Sequence, residues 1–355
     1  MRRPGRHSGR ATSGVVLVTA VAMFVGLVGT PARAEGRPGG TPPGTCTGEA
    51  PVLCHYDVAP GSYRVTVTLG GDEAGSTSVQ AETRRTVLGE TPTGPGEVVR
   101  RSFTVDVRTP EGEPTGPDGS PGLDLRVGGD NPRLLDLRVT PASRTRQILL
   151  VGDSTVCDQA SDPYSGWGQQ LPQFLRQQVV VANYAASGEG TGSVLAKPEL
   201  FDAVEARVRP GDLVLVQLGH NDKSTPAEEF RANLATMVER VTARGGEPVL
   251  VTPIVRRRFQ SDGALDPVAL HVMGGGDLPA AMRSLADDLD VPLIDLTDLT
   301  RQLVEDLGTE ESKDLYLTNV NGDNTHTSVH GATVYARLVL DQLRDQRLIS
   351  ARATR

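Results

Sequence analysis

Two short polar motifs contain the residue types that acyl transfer requires. Gly-Asp-Ser154-Thr follows an apolar run, and a Ser on a tight turn between a strand and a helix exposes its hydroxyl for nucleophilic attack. Asp323-Asn-Thr-His326 precedes the last predicted helix, and an acid three residues before a His can orient the imidazole to accept the Ser proton. Either motif alone is also typical of a helix cap. Together they predict a catalytic triad of Ser154, His326 and Asp323.

Two further motifs offer donors for the oxyanion that forms during acyl transfer. Gly188 ends the motif Asn183-Tyr-Ala-Ala-Ser-Gly188, and a glycine lets a backbone N–H approach a ligand closely. Asn221, in Gly-His-Asn221-Asp, carries an amide that can donate a hydrogen bond. With the Ser154 N–H they would form a three-donor oxyanion hole, in which one donor contributes about 3–4 kcal/mol. A loop glycine and a helix-capping Asn are the alternative interpretations.

The remaining histidines include one competitor for the role of base. His330 lies at the start of the last predicted helix, whereas His220 and His271 lack an acid at comparable spacing. No group of His, Cys and carboxylates has the spacing of metal ligands, so neither a metal nor a cofactor is expected. Cys157 is predicted to be a buried small side chain rather than a nucleophile.

Strands and helices alternate from residue 146 onward and would position these motifs. Continuous apolar runs predict buried strands of a parallel sheet at 147–151, 179–181, 213–218, 249–251 and 291–296. Amphipathic periodicity with capping and terminating residues predicts helices at 226–244, 278–289, 298–307 and 332–343. Ligands of a parallel α/β sheet bind beyond the carboxyl ends of its strands, where all four motifs fall. The sequence therefore predicts an α/β domain over 142–355, with a parallel sheet between two layers of helices.

The preceding segment has the patterning of short β-strands. Alternating polar and apolar residues, separated by Gly- and Pro-rich turns, predict a small all-β sandwich over 61–141, with strands at 63–69, 79–88, 102–108, 123–127 and 134–139. Residues 35–60 begin with a Gly/Pro/Thr-rich stretch and are predicted to be flexible. Cys46 and Cys54 could form a disulfide within that segment.

Residues 1–34 have the pattern of a secretory signal peptide. Several arginines precede an uncharged apolar run at 15–28, and Ala-Arg-Ala34 provides a cleavage pattern. A retained membrane anchor is the alternative, although the apolar run is short for a membrane span. Removal of the five arginines in this segment would change the formal charge from −8 to −13. We therefore expect a secreted, extracellular protein that binds neither nucleic acid nor membrane, and the sequence does not indicate an oligomeric state.

The order of the four motifs resembles the GDSL (SGNH) hydrolase family, whose signature blocks contain Ser, Gly, Asn and Asp-x-x-His. The resemblance implies the fold of that family, with Ser154 as nucleophile and His326 as base, oriented by Asp323. It also implies Gly188 and Asn221 as oxyanion donors, together with the backbone N–H of Ser154. The chemistry expected from the resemblance therefore agrees with the chemistry expected from the residue types.

Longer motifs are similar to the bacterial rhamnogalacturonan acetylesterase branch of this family, namely Gly152-Asp-Ser-Thr-Val156, Gly166-Trp-Gly-Gln169, Gln217-Leu-Gly-His-Asn-Asp222 and Asp323-Asn-Thr-His-Thr-Ser328. This resemblance implies a serine esterase that removes acetyl groups from plant cell-wall polysaccharide. In that branch a galactose-binding-like β domain often precedes the esterase domain. No stacked set of aromatic residues supports carbohydrate binding here, so we expect a packing role for the β domain.

One residue departs from the family pattern. Glu189 follows Gly188 where the family usually has Arg, and a carboxylate at the rim should weaken the binding of a uronate. Arg256-Arg-Arg258 could offset that charge. His220, Trp167 and Arg258 are expected to bind substrate. Two other functions remain open, a lipase or arylesterase on small acyl esters and a catalytically silent carbohydrate-binding protein.

Overall fold

The computed structural model describes residues 42–355, so the predicted signal peptide lies outside the described residues. The described residues all belong to one compact unit. None of the helices in this part of the chain has the length and apolar character needed to span a membrane.

The first half of the described chain is antiparallel β-structure. Its eight strands are β1 (Gly44–Thr47), β2 (Val52–Tyr56), β3 (Gly61–Gly70), β4 (Gly75–Ala81), β5 (Arg85–Thr93), β6 (Val98–Val107), β7 (Leu123–Gly128) and β8 (Leu134–Pro141). They form a five-stranded sheet in the order β1-β2-β7-β4-β5 and a three-stranded sheet in the order β6-β3-β8. Val65, Val67 and Leu69 of β3 pack with Leu125 and Val127 of β7 in one buried core. The predicted β domain is confirmed, and we call residues 44–141 the β region.

Two predictions for the β region are wrong. The segment Val79–Leu88 is a hairpin rather than one strand, because Glu82 and Arg84 have φ angles of 52° and 54° and reverse the chain between β4 and β5. No Gly or Pro marks this turn. Part of the segment predicted to be flexible is ordered, since β1 and β2 pair with each other, and the Cys46–Cys54 disulfide joins residues that face each other in the register.

The second half alternates strands and helices. Its strands are β9 (Arg146–Gly152), β10 (Val179–Asn183), β11 (Leu213–Gln217), β12 (Glu247–Val251), β13 (Val272–Met273), β14 (Gly276–Asp277), β15 (Leu293–Ile294), β16 (Tyr316–Leu317) and β17 (Asp323–Thr327). Five of them form a parallel sheet in the order β10-β9-β11-β12-β15. The carboxyl ends of β9, β10 and β11 therefore lie side by side, and the motifs that follow them meet at one edge.

The helices are α1 (Trp167–Gln170), α2 (Thr191–Ala196), α3 (Ala203–Arg207), α4 (Ala227–Ala243), α5 (Leu278–Leu289), α6 (Leu296–Glu311), α7 (Thr318–Asn321) and α8 (Val329–Asp345). Successive residues of β9 face opposite sides of the sheet. Leu149 packs in the same core as Phe230 of α4, whereas Leu150 packs with Tyr335 of α8. Helices thus cover both faces, and the predicted three-layer α/β architecture is confirmed. α6 begins at Leu296, earlier than predicted, because the Asp295 side chain caps it by accepting from the Asp298 N–H.

The β region is joined to the α/β region by buried polar contacts. Arg85 is 1% exposed, and its Nε lies 2.7 Å from the carboxylate of Asp158 in the loop after Ser154. Arg207 of α3 forms an ion pair with Asp106 of β6. Because a buried charge is stable only when it is paired, the first contact fixes the β region against the loop that carries the candidate nucleophile and the second fixes it against α3.

Candidate active site

Ser154 lies in a tight turn directly after β9. The Asp153 carboxylate accepts hydrogen bonds from the Thr155 N–H at 2.9 Å and the Thr155 hydroxyl at 2.8 Å, which closes the turn. The side chain of Gln217, at the end of β11, donates to the same hydroxyl at 2.8 Å. The prediction of a helix after this turn is wrong, because α1 begins only at Trp167 and an irregular loop intervenes. Hydrogen bonds accepted by Asp153 and donated by Gln217, rather than a helix, hold the Ser154 turn.

The structure brings Ser154, His326 and Asp323 together. His326 Nε2 lies 3.0 Å from Ser154 Oγ, and His326 Nδ1 lies 2.6 Å from a carboxylate oxygen of Asp323. The other carboxylate oxygen accepts from the backbone N–H groups of Thr325 and His326 at 2.7 and 3.1 Å. Partial burial raises the pKa of Asp323, but these hydrogen bonds outweigh it and lower the pKa below its ordinary value. An ionised Asp323 can hold the Nδ1 proton of His326, leaving Nε2 to accept the Ser154 proton.

His326 lies on β17, which pairs with the short strand β16. Its ring lies 4.9 Å from the ring of Tyr164, whose hydroxyl donates to the Ser154 carbonyl at 3.3 Å. Tyr164 thus contacts both members of the Ser154–His326 pair, and no sequence motif indicated it. His330 is exposed in the first turn of α8, outside the hydrogen bonds that join the three residues.

The candidate oxyanion donors lie in neighbouring loops. Gly188 has a φ of 80°, a conformation that favours glycine, and no atom lies within 4 Å of the position that a Cβ would occupy there. The Asn221 amide donates to the Glu189 carbonyl at 2.9 Å, which leaves its second N–H for a ligand. Within residues 42–355 the backbone N–H groups of Ser154 and Gly188 donate to no protein acceptor. Three donors are therefore available for an oxyanion.

Neither His220 nor Trp167 can contact substrate in this structure, since both side chains are buried. Trp167 is 1% exposed, and its Nε1 donates to Gln217 at 2.7 Å, so it supports the strand ends. His220 is 2% exposed and packs against His271 with ring centroids 4.4 Å apart. Burial, followed by the positive charge of neighbouring groups, lowers the pKa of His220 well below its ordinary value.

The structure places the arginines of the loop 256–258 in different surroundings, and substrate binding by Arg258 stays a prediction. Arg258 forms an exposed ion pair with Asp266 at 2.9 Å. The neighbouring Arg256 instead reaches the candidate site, where its guanidinium donates to the Thr325 hydroxyl at 2.7 Å and to the His220 carbonyl at 3.0 Å. Arg256 therefore links the loop of the predicted base to the loop of the predicted oxyanion donor.

Glu189 does not place a charge at the rim as predicted. It is 5% exposed, and its carboxylate pairs with Lys197 at 2.5 Å. A buried, paired carboxylate exerts little repulsion on an anion in solvent, so the argument against a uronate substrate fails on this point. Cys157 is fully buried, and burial raises the pKa of its thiol well above the ordinary value, as expected for a structural cysteine.

A residue of the β region contacts the loop of the candidate oxyanion donor. The carboxylate of Glu113, in the connection between β6 and β7, accepts from the Ser187 hydroxyl at 2.9 Å and also from the Ser187 backbone N–H. Ser187 immediately precedes Gly188, so Glu113 fixes the peptide that aims the Gly188 N–H. No sequence pattern connected Glu113 with this loop.

We expect Glu113→Ala to lower kcat for ester hydrolysis roughly tenfold with little change in KM, because the Gly188 N–H would be aimed less well at the oxyanion. A tenfold change corresponds to a loss of about 1.4 kcal/mol of transition-state stabilisation. Steady-state kinetics on an aryl acetate would measure this. Glu113→Gln should recover part of the loss because its amide oxygen still accepts one hydrogen bond. Glu111→Ala, in the same loop, is the matched control. An unchanged kcat with a lowered melting temperature would limit Glu113 to a structural role.

The comparison with known protein families agrees with this geometry. The model of the GDSL-like lipase/acylhydrolase family matches residues 150–334, which include all four motifs. The chain belongs to this family. The family resemblance predicted from the motifs is confirmed, and this GDSL-like acylhydrolase is a carboxylic ester hydrolase.

Two relatives of this GDSL-like acylhydrolase come from Bacillus subtilis strain 168. Rhamnogalacturonan acetylesterase RhgT is 36% identical over 215 residues, covering 56% of this chain and 90% of that protein. Uncharacterized esterase YxiM is 29% identical over 301 residues, covering 82% of this chain and 74% of that protein. The crystal structure of YxiM has a TM-score of 0.53 at 28% identity and covers 83% of this chain and 80% of its own. The similarity to YxiM therefore extends into the β region.

Proposed function

We propose that this protein is a secreted acetylesterase that removes acetyl groups from plant cell-wall polysaccharide of the rhamnogalacturonan type. The observation that carries the proposal is the 3.0 Å contact between Ser154 Oγ and His326 Nε2, with Asp323 on the far side of the imidazole. The acetyl group and the polymer are supported by the relative named rhamnogalacturonan acetylesterase. The signal-peptide pattern of residues 1–34 and the Cys46–Cys54 disulfide support secretion, since disulfides persist in oxidising compartments.

The proposed reaction proceeds through an acyl-enzyme. Ser154 Oγ attacks the carbonyl carbon of the acetyl ester while its proton moves to His326 Nε2. The carbonyl oxygen becomes an oxyanion, which accepts from Ser154 N–H, Gly188 N–H and the Asn221 amide. Collapse of this intermediate transfers the proton to the sugar oxygen, which leaves as a hydroxyl group. Water then attacks the acetyl-enzyme and gives a proton to His326. The bond between the acyl carbon and Ser154 Oγ breaks, His326 returns the proton to Ser154 Oγ, and acetate is released.

Acetate release from a panel of esters would test the proposal. We expect the wild-type protein to release acetate from acetylated rhamnogalacturonan faster than from acetylated xylan at equal acetyl content, and also to hydrolyse an aryl acetate. Ser154→Ala should be inactive on all three. Activity on the aryl ester alone would favour an arylesterase, whereas wild-type inactivity on every ester would favour a carbohydrate-binding protein without catalysis.

A further inference from the structure

Positive charge is concentrated on the exposed face of the three-stranded sheet β6-β3-β8. The odd-numbered residues Val65, Val67 and Leu69 of β3 are buried, so the even-numbered residues of that strand point to the opposite face. The register places Thr66 of β3 between Ser102 of β6 and Arg138 of β8. Arginines and hydroxyl groups therefore share this face of the sheet.

Three adjoining depressions of about 560, 610 and 440 Å³ form one groove along this face. The first two share Arg100, Ser102 and Gln177, and the second and third share Arg64 and Gln177. We call this feature the basic groove. Its cationic side chains are those of Arg64, Arg100, Arg101, Arg138, Arg144, Arg176 and Arg355.

The charge of the basic groove is only partly neutralised by the described part of the chain. No Asp or Glu of residues 42–355 lines the three depressions, and of the seven arginines only Arg138 has an Asp or Glu partner there, Asp136 at 3.0 Å. Burial, followed by repulsion from Arg101 and Arg176, lowers the pKa of Arg355 to about 10. The chain as a whole has a formal charge of −8, so a cluster of positive charge is unusual in it. An anionic ligand would relieve the repulsion among these arginines.

The side chains of the groove indicate the chemistry of that ligand. Guanidinium groups bind carboxylates in a two-pronged geometry, and the hydroxyls of Thr66, Ser102 and Thr140 lie among them. Thr66 and Ser102 are joined by a 2.9 Å hydrogen bond. Neutral sugars bind proteins largely by stacking on aromatic rings, yet every Phe, Tyr and Trp among residues 42–355 is at least partly buried. A ligand with both carboxylate and hydroxyl groups repeated along its length fits this surface.

We propose that the basic groove binds an acidic polysaccharide, a polymer whose uronic-acid units supply the carboxylates. This inference rests on the proposed action on cell-wall polysaccharide and identifies the charge of the polymer. It also gives the β region a binding role that the lack of stacked aromatics had argued against.

The basic groove anchors the polymer away from the reacting ester. Gln177 and Gln178 directly precede β10, and Arg144 and Thr145 directly precede β9, so the groove adjoins the amino ends of these strands. Ser154 follows the carboxyl end of β9. A segment held in the groove is therefore not the segment being hydrolysed, and anchoring raises the local concentration of acetyl esters on the same polymer. Hydrolysis of small esters does not depend on the groove.

Binding is tested in the Ser154→Ala protein, in which no turnover occurs, by electrophoresis through gels containing polygalacturonate at low ionic strength. We expect retardation that is lost as salt increases, because screening weakens exposed charge pairs. Arg64→Ser combined with Arg100→Ser should weaken binding on the order of tenfold. Arg126→Ser combined with Arg244→Ser removes the same charge from exposed positions outside the groove and should retain binding. A neutral galactan should cause no retardation.

Three results would overturn the inference: equal loss of binding in the groove and control variants, equal retardation by the neutral galactan, or tighter binding of duplex DNA or anionic vesicles than of polygalacturonate. In the active protein, the groove variant should hydrolyse an aryl acetate at the wild-type rate but release less acetate from dilute acetylated pectin. A wild-type protein that hydrolyses no ester would contradict the proposed function, while the Ser154→Ala gels would still decide whether the groove binds the polymer.

Discussion

Replacing His326 with Ala should lower kcat for ester hydrolysis by about 10⁴- to 10⁶-fold, the range seen when a triad base is removed. The 3.0 Å contact with Ser154 Oγ makes Nε2 of His326 the acceptor of the Ser proton, and no other imidazole makes this contact within residues 42–355. Without it, the hydroxyl must attack while still protonated. Steady-state and burst kinetics on an aryl acetate would measure the loss at the acylation step.

His330→Ala is the matched control, because it removes a second imidazole four residues away that is exposed on α8. We expect its kcat and KM to match those of the wild-type protein. Melting temperatures should be similar for both variants, since neither side chain belongs to a hydrophobic core. A large loss in His330→Ala together with retained activity in His326→Ala would transfer the role of base to His330.

The sequence was sufficient to predict the layers of the α/β region and the residues that meet at its edge. Continuous apolar strands and amphipathic helices each indicate which faces are buried, and a parallel sheet brings the carboxyl ends of its strands together. Ser154 and His326 are 172 positions apart in the sequence, yet their proximity was predicted from this rule and from the spacing of Asp323 and His326. The family resemblance gave the same residues.

Contacts between the two regions could not be predicted in this way. Arg85 pairs with Asp158 and Glu113 accepts from Ser187, but no periodicity relates a β-region residue to a loop of the α/β region. The burial of individual polar residues could not be predicted from the sequence either. Glu189 follows a loop glycine and was predicted to be exposed, whereas Lys197 at the end of α2 neutralises it inside the protein.

Asn221→Ala should reduce kcat by roughly 10²- to 10³-fold while KM changes little. The Asn221 amide uses one N–H to hold the Glu189 carbonyl at 2.9 Å, and we expect its second N–H to donate to the oxyanion. A hydrogen bond to the oxyanion is stronger than one to the neutral ester carbonyl, because the acceptor gains charge in the transition state. Loss of this donor therefore slows the chemical step more than it weakens substrate binding.

Asn233→Ala provides the control for the loss of an amide near the same loops. Asn233 lies on α4 and donates to the Thr191 hydroxyl at 3.1 Å, so its removal perturbs the packing of α2 without removing a donor to the ester. We expect its kcat to stay within about threefold of wild type, since one neutral hydrogen bond contributes about 1 kcal/mol to stability. If Asn221→Ala raised KM and left kcat intact, Asn221 would be a substrate-binding residue, and the hole would consist of the Ser154 and Gly188 N–H groups alone.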